Sequence, residues 1–369
     1  MNMWPVEELL SLLRGRRVGL ISGPAGWIDG CGYLSEVLRE RANLVALFAP
    51  EHGFWGELQA GVPVPTYRDE RLGCPVYSLY GKHKVPPPEV LAEVDVLVFH
   101  LQDVTCRNYT YKTTLEHTLR AAVAAGVSFI LLDRPTPLNG VTVQGNVAPS
   151  VFFSQPLPLR YGLTLGELAL LLKGEDRLEV DLTVLPVKGW RREQWYDETG
   201  LLWIAPSPNL PTLTAATLFP ATVILEGTNF SVGRGTTRPF ELIGAPWCDG
   251  FRLATELNRR HLPGVLFRPC YFQPTFDKYA GEVCSGVQLH LTDRETFDGP
   301  RVGLHLLDAL RRLHPTTFEM HSTRLDACLG TDEIRRRWEA GEPPEVIADS
   351  WGEEQRAFEE LREKYRLYA

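Results

Sequence analysis

The feature that most constrains the fold is a unit that recurs through the first half of the chain. A short, almost uninterrupted aliphatic run gives way to a polar, turn-rich segment, and a stretch with helical spacing follows. The runs are Arg17–Ser22, Asn43–Ala49, 76–79, 95–101 and Ser128–Leu132. A strand with one wet face alternates apolar and polar residues, so runs like these fit strands buried on both faces. Strands alternating with helices predict an α/β fold with a Rossmann-like, doubly wound, mostly parallel sheet. Thr113-Thr114-Leu115-Glu116 has capping-box spacing ahead of a helix that stops at Gly126. Thr164-Leu165-Gly166-Glu167 repeats the signature ahead of 168–173.

A further strand is expected over 181–187. Segment 205–220, rich in Pro, Thr and Ser, reads as the approach to a domain boundary near Phe219, which divides the chain into 1–218 and 219–369. At 369 residues the chain has room for two domains. The second is expected to be a smaller α/β domain, with strands over 222–225 and 286–291 and helices over 251–260 and 301–313. In its charged tail helix, Trp351, Phe358, Leu361 and Tyr365 share one face, a stripe that reads as core packing.

Composition narrows the function. With 38 basic and 46 acidic side chains the net charge is −8, which argues against nucleic acid as a partner, because phosphate neutralisation needs a basic face. Seven cysteines without a C-x-x-C pattern read as reduced thiols in a cytoplasmic protein. Neither a leader pattern nor an apolar run of membrane-spanning length is visible, so no membrane partner is expected. The histidines lack ligand spacing, and the glycine motifs that cradle nucleotides are missing, so neither metal nor cofactor is expected. A nucleophile elbow, G-x-S-x-G, is also missing.

What ends the strands is more informative. The second runs into Pro50-Glu51-His52-Gly53, the fourth into Gln102-Asp103 with Arg107 just after, and the fifth into Asp133-Arg134-Pro135. The carboxyl ends of an open parallel sheet form its ligand crevice, so Glu51, His52, Asp103, Arg107, Asp133 and Arg134 are expected to converge. Each also has a plainer reading: a turn or cap for Asp103, an ion pair for Asp133 and Arg134, an orienting hydrogen bond for His52. A second polar cluster spans 227–236, where closely spaced glycines can turn amides toward an anion and Arg234 adds a charged fork. Glu226, just before it, is either catalytic or the partner of an arginine.

These segments form an ordered series: Pro50-Glu51-His52-Gly53-Phe54, Gln102-Asp103-Val104, Tyr109-Thr110-Tyr111, Asp133-Arg134-Pro135, Gly162-Leu163-Thr164-Leu165-Gly166-Glu167 and Ser207-Pro208-Asn209-Leu210-Pro211-Thr212. Glu226-Gly227-Thr228-Asn229, Gly233-Arg234-Gly235-Thr236-Thr237, Gly244-Ala245-Pro246-Trp247, Lys278-Tyr279 and Cys284-Ser285-Gly286-Val287 continue it. The series resembles the NamZ-like exo-β-N-acetylmuramidases over nearly the whole chain, departing at Trp55, Val232 and Asn139, the last where glycine is usual. The resemblance implies a Rossmann-like catalytic domain and a smaller domain closing the cleft. It also implies an exo-acting hydrolase that releases N-acetylmuramic acid from the non-reducing end of peptidoglycan fragments, in cell-wall recycling. The family's Glu-His-Gly glutamate corresponds to Glu51, the expected general acid/base.

Glycoside hydrolysis needs a second group near the anomeric carbon. Asp103 or Glu226 is the candidate, as nucleophile or water-activating base, unless the substrate's own acetamido oxygen attacks. An arginine should read the lactyl carboxylate of a muropeptide-derived sugar, with Arg234 the first choice and Arg134 the second. Asn229, Ser231 and Thr236 are candidates for the sugar hydroxyls, and Tyr111 either stacks on the ring or packs in the core. The oligomeric state is left open. The competing functions are a non-catalytic binding protein for wall fragments and a sugar-phosphate or nucleotide enzyme, the latter disfavoured by Pro24 after the first strand.

Overall fold

The computed structural model describes residues 3–150 and 153–369. Its main sheet is built from β1 (Arg17–Ser22), β2 (Asn43–Ala49), β3 (Tyr67–Asp69), β4 (Cys74–Ser78), β5 (Val96–His100), β6 (Ser128–Leu132) and β7 (Leu182–Leu185). The strand order is β7-β6-β5-β1-β2-β4-β3. Every neighbouring pair is parallel except β3 on β4. The apolar runs therefore became strands in the expected α/β sheet, and β5 is buried at every residue. The short antiparallel β3 was not anticipated, because three residues carry no measurable period. β2 and β5 flank β1 on opposite sides, so the crossovers diverge there and a crevice opens at the carboxyl ends.

The helices that place the site are α1 (Tyr111–Ala125), α2 (Leu165–Glu175), α3 (Leu213–Thr222), α4 (Gly250–Asn258), α5 (Gly299–Leu313) and α6 (Ser322–Leu329). α2 begins with the capping box read from sequence: Glu167 N–H donates to Thr164 Oγ1 at 3.1 Å, and Thr164 N–H to Glu167 Oε2 at 2.9 Å. α1 ends at Gly126, whose φ of +64° suits glycine. It starts earlier than its capping-box spacing indicates. Thr110, not Thr113, holds the cap position.

Segment 205–225 folds differently from its reading. In place of the strand expected over 222–225 stands a 3₁₀ turn at Val223–Gly227, and α3 runs across the expected boundary near Phe219. Thr212 caps α3 by accepting the Ala215 N–H at 3.0 Å, and every residue from Ala215 to Thr222 is buried. A helix apolar all round has no 3.6-residue stripe to detect. α3 packs on α5. Beyond it, β8 (Leu242–Ala245), β9 (Val265–Phe272) and β10 (Cys284–Leu291) form an antiparallel sheet in the order β8-β10-β9.

One apolar cluster runs from Phe99, Tyr109 and Leu157 to Leu218, Phe240 and Leu307, so the two halves share a core. A second cluster, with Leu9, Val98 and Ile130, covers the other face of the main sheet. In the tail, Trp351 and Phe358 are buried in the shared core, as their stripe implied. Among the described residues no helix is long and apolar enough to cross a membrane.

Candidate active site

Between the carboxyl end of the main sheet and the second half lies a cleft of about 980 Å³. Glu51, His52, Tyr80 and Thr110 line it from the first half, and Glu226, Arg234 and Arg324 from the second.

Glu51 lies two residues beyond β2, where the chain reverses through His52 at φ +78° and Gly53 at +86°. The left-handed conformation is costly for histidine. It is held by an exchange with Leu58, in which His52 Nδ1 and O each bond the Leu58 backbone at 3.0 Å. Behind the turn the Tyr111 hydroxyl donates to the Pro206 carbonyl at 2.8 Å and lies 3.2 Å from that of Glu51. The Glu51 carboxylate accepts the Gly61 N–H at 3.0 Å and the Thr110 hydroxyl at 2.8 Å. Tyr80 faces it, and burial, followed by the nearby Glu51 charge, pushes its phenol up to about 12. Burial lowers the His52 pKa despite the opposing Glu51 charge, which favours a neutral ring.

Glu226 ends the 3₁₀ turn on the opposite wall. Arg234 Nε donates to one of its oxygens at 2.7 Å and Arg324 to the other at 3.1 Å. Burial alone would raise this carboxyl, but the Arg234 charge and hydrogen bond, with those of Arg324, outweigh it and hold the group below its ordinary range. The Arg234 guanidinium also lies over the Phe240 ring at 4.9 Å. Gly235, at φ +80°, has no room for a side chain, since an added Cβ would sit 2.4 Å from the Phe276 carbonyl. The Gly233 N–H turns inward to Ser231 Oγ at 3.2 Å. These two glycines thus allow tight packing of the loop, rather than the anion cradle their spacing suggested.

The remaining expected site residues are placed apart from the cleft. Asp103 is buried against Tyr161 and accepts the Thr105 N–H at 2.8 Å. Arg107 is fully buried, and its guanidinium donates to the carbonyls of Asn146, Leu157 and Leu329. Arg134 bonds Gln102 at 2.8 Å and His100 Nε2 at 3.0 Å. Burial, then the Arg134 charge, pushes His100 down to about 3, so it is a neutral acceptor. Asp103 and Arg134 line a separate void of about 10 Å³, room for a single water. Asp133, beside Arg134, takes the Gly166 N–H and the Tyr368 hydroxyl instead of pairing with an arginine. Tyr111 is 1% exposed, which leaves no face for a sugar. Asn229 ties the loop to Thr317 and Glu319, and Thr236 donates to the Gly233 carbonyl.

Sequence reasoning passed over Tyr80, Thr110, Asn209 and Arg324, all of which line the cleft. Thr110 and Asn209 belong to the quoted motif series, which was the available signal. Tyr80 and Arg324 carry none. At Asn139, where the family pattern has glycine, φ is +53° and the side chain accepts the Val141 and Thr142 N–H groups. Asparagine is among the few residues that tolerate this conformation.

Profiles of the exo-β-N-acetylmuramidase NamZ match the chain in two parts, the N-terminal profile at residues 18–214 and the C-terminal one at 217–368. The chain belongs to the NamZ exo-β-N-acetylmuramidase family. The peptidoglycan β-N-acetylmuramidase NamZ of Bacillus subtilis (strain 168) is 44% identical over 363 residues, covering 96% of this chain and 88% of that one. Crystal structures of two DUF1343-family proteins from Bacteroides fragilis NCTC 9343 share the fold. One superposes with a TM-score of 0.90 at 38% identity, the other with 0.82 at 30%, each covering 99% of this chain and 97% of that one.

Proposed function

We propose that this chain is an exo-acting glycoside hydrolase that releases N-acetylmuramic acid from the non-reducing end of peptidoglycan fragments, with Glu51 as general acid/base. One observation carries the reading: two carboxylates from opposite halves of the chain line one cleft in contrasting company. Glu51 is held by neutral donors, and among the described residues it has no ion-pair partner. Glu226 is clamped by two arginines and stays ionised. Carboxylates with divergent surroundings are how glycosidases divide the roles of acid and anion.

Glu51 protonates the leaving oxygen. Glu226, a weak base because of its arginines, supplies fixed negative charge beside the oxocarbenium-like centre. Arg234 Nε is engaged by Glu226, while among the described residues its terminal nitrogens donate to no protein acceptor, so they are available to a lactyl carboxylate. Seven free cysteines suit a reducing, cytoplasmic setting.

The test is release of chromophore from a chromogenic β-N-acetylmuramide. The wild type should turn it over, and a folded Glu51→Gln variant should lose about 10²–10⁴-fold in kcat, the range of general acid catalysis. Binding without release would favour the binding-protein reading, and full turnover by Glu51→Gln would remove Glu51 from the mechanism.

A further inference from the structure

The loop that carries Glu226 and Arg234 is held from outside as well as by its own hydrogen bonds. Its carbonyls are gripped from outside by the segment joining β9 to β10. The Thr275 N–H and hydroxyl both reach the Gly235 carbonyl at 2.9 Å, and the Tyr279 hydroxyl donates to the Asn229 carbonyl at 2.7 Å. Between them Lys278 Nζ donates to three carbonyls of the one loop: Glu226 at 3.3 Å, Phe230 at 3.0 Å, and Thr228. Lysine has three donors, and here all three go to backbone oxygens, one in the 3₁₀ turn at Val223–Gly227 and two in the residues that follow it.

We propose that Lys278 is a positioning residue for the hydrolysis, fixing the backbone of Glu226 so that its carboxylate meets Arg234 and the substrate at once. This rests on the function proposed above. The geometry fits a device for aim more than one for stability. Lys278 is only partly exposed and bonds the main chain of the residue whose side chain lines the cleft, yet among the described residues it makes no ion pair of its own. Burial lowers the Lys278 pKa to about 8, while the nearby Glu226 charge opposes the fall, so the ammonium persists at neutral pH. The Leu225 and Gly227 carbonyls take the Thr228 N–H at 3.0 Å and the His321 N–H at 2.8 Å, whereas those of Glu226, Thr228 and Phe230 take Lys278. A methionine in place of Lys278 would fill the space and leave those three bare, which is a local fault transmitted to Glu226.

The experiment uses the full chain and the chromogenic β-N-acetylmuramide, comparing wild type, Lys278→Met, Lys278→Arg and Tyr279→Phe for kcat, KM and Tm. Tyr279→Phe is the control, since it loosens the same loop at Asn229, away from the carboxylate. Lys278→Met should lower kcat about tenfold or more with KM within about threefold, the signature of a lost transition-state interaction. Lys278→Arg, which can still donate to carbonyls, should recover part of kcat. Tyr279→Phe should lower Tm with little change in kcat. If Lys278→Met does not fold, Lys278→Gln takes its place. The inference is overturned if Lys278→Met keeps kcat within about twofold, or if Tyr279→Phe loses as much kcat as it does. A wild type that releases no chromophore would overturn the hydrolase reading as well, whereas an active wild type with an unimpaired Lys278→Met overturns this inference alone.

Discussion

Thr110 occupies the cap position of α1, yet its hydroxyl donates to the Glu51 carboxylate at 2.8 Å and makes no capping bond. A helix start that would ordinarily serve stability has been turned to the service of the cleft. Thr110 thus ties the helix following β5 to the turn following β2. The capping-box spacing at Thr113 gave no hint of this, because the partner lies 59 residues away in sequence.

Loss of that hydroxyl should be felt in rate rather than in folding. A hydrogen bond to a charged group contributes about 1.5–3 kcal/mol, which is roughly 10–100-fold if it acts in the transition state. Thr110→Val is expected to lower kcat in that range with Tm nearly unchanged, since no cap is removed, while Thr110→Ser stays near wild type. Equal kinetics for the two variants would show that the hydroxyl has no part in the reaction.

The pH profile should report on Glu226. Its pKa is below the ordinary carboxylate value because its two arginines outweigh burial. The pairing therefore stabilises the fold above that ordinary value, and the benefit fades as pH falls through the lowered one. Arg234→Met leaves burial less opposed, so the Glu226 pKa should rise and the acid limb of kcat/KM should move to higher pH. An acid limb that stays in place in a folded variant would exclude Glu226 as the group titrating there.

The same arginine should decide substrate choice. Arg234→Lys retains charge but loses the planar fork, and lysine is a poor substitute at a bidentate site. Its KM is expected to rise far more for the muramide than for the matching N-acetylglucosaminide, which lacks the lactyl carboxylate. Parallel rises for both substrates would mean that Arg234 matters only to Glu226.

Asp103 supplies a contrasting case. Burial raises its pKa against the Lys112 charge and the Tyr161 hydrogen bond, so its ionised form is the disfavoured one. The stability it contributes is complete below the ordinary carboxylate pKa and declines as pH rises through the raised value. Asp103→Asn should therefore keep kcat within about twofold, and its denaturation midpoint should fall less than that of wild type between acid and neutral pH. A kcat loss comparable to that of Glu51→Gln would return Asp103 to the catalytic machinery.

Asn139 tests the left-handed turn. Asn139→Ala removes two backbone-accepting hydrogen bonds and places alanine at φ +53°, at an expected cost of about 1–3 kcal/mol, while Asn139→Gly should lose less because glycine adopts this φ freely. Urea denaturation ranks the two, and the reverse order would show that the side-chain bonds outweigh the backbone conformation.

Much of the fold was legible because its signals are local. An apolar run of five to seven residues is its own evidence for a strand in a two-sided sheet, and β1, β2 and β6 begin and end where the runs do. Glu51 was legible for the same reason, being the first ionisable residue past β2. α3 was not, because Leu213–Thr222 is apolar on all sides and its Pro220 reads as a breaker.

The sequence by itself determined the α/β class, the strand ends and the residue types gathered at them. Only the tertiary structure decided which of those residues share solvent. Asp103, Arg107 and Arg134 leave the sheet at the same edge as Glu51, but Tyr161, Leu329 and Tyr196 close over them from later in the chain. Glu226 and Arg234 arrive at the cleft from the other half. Exposure depends on packing between segments remote in sequence, and no local periodicity encodes it.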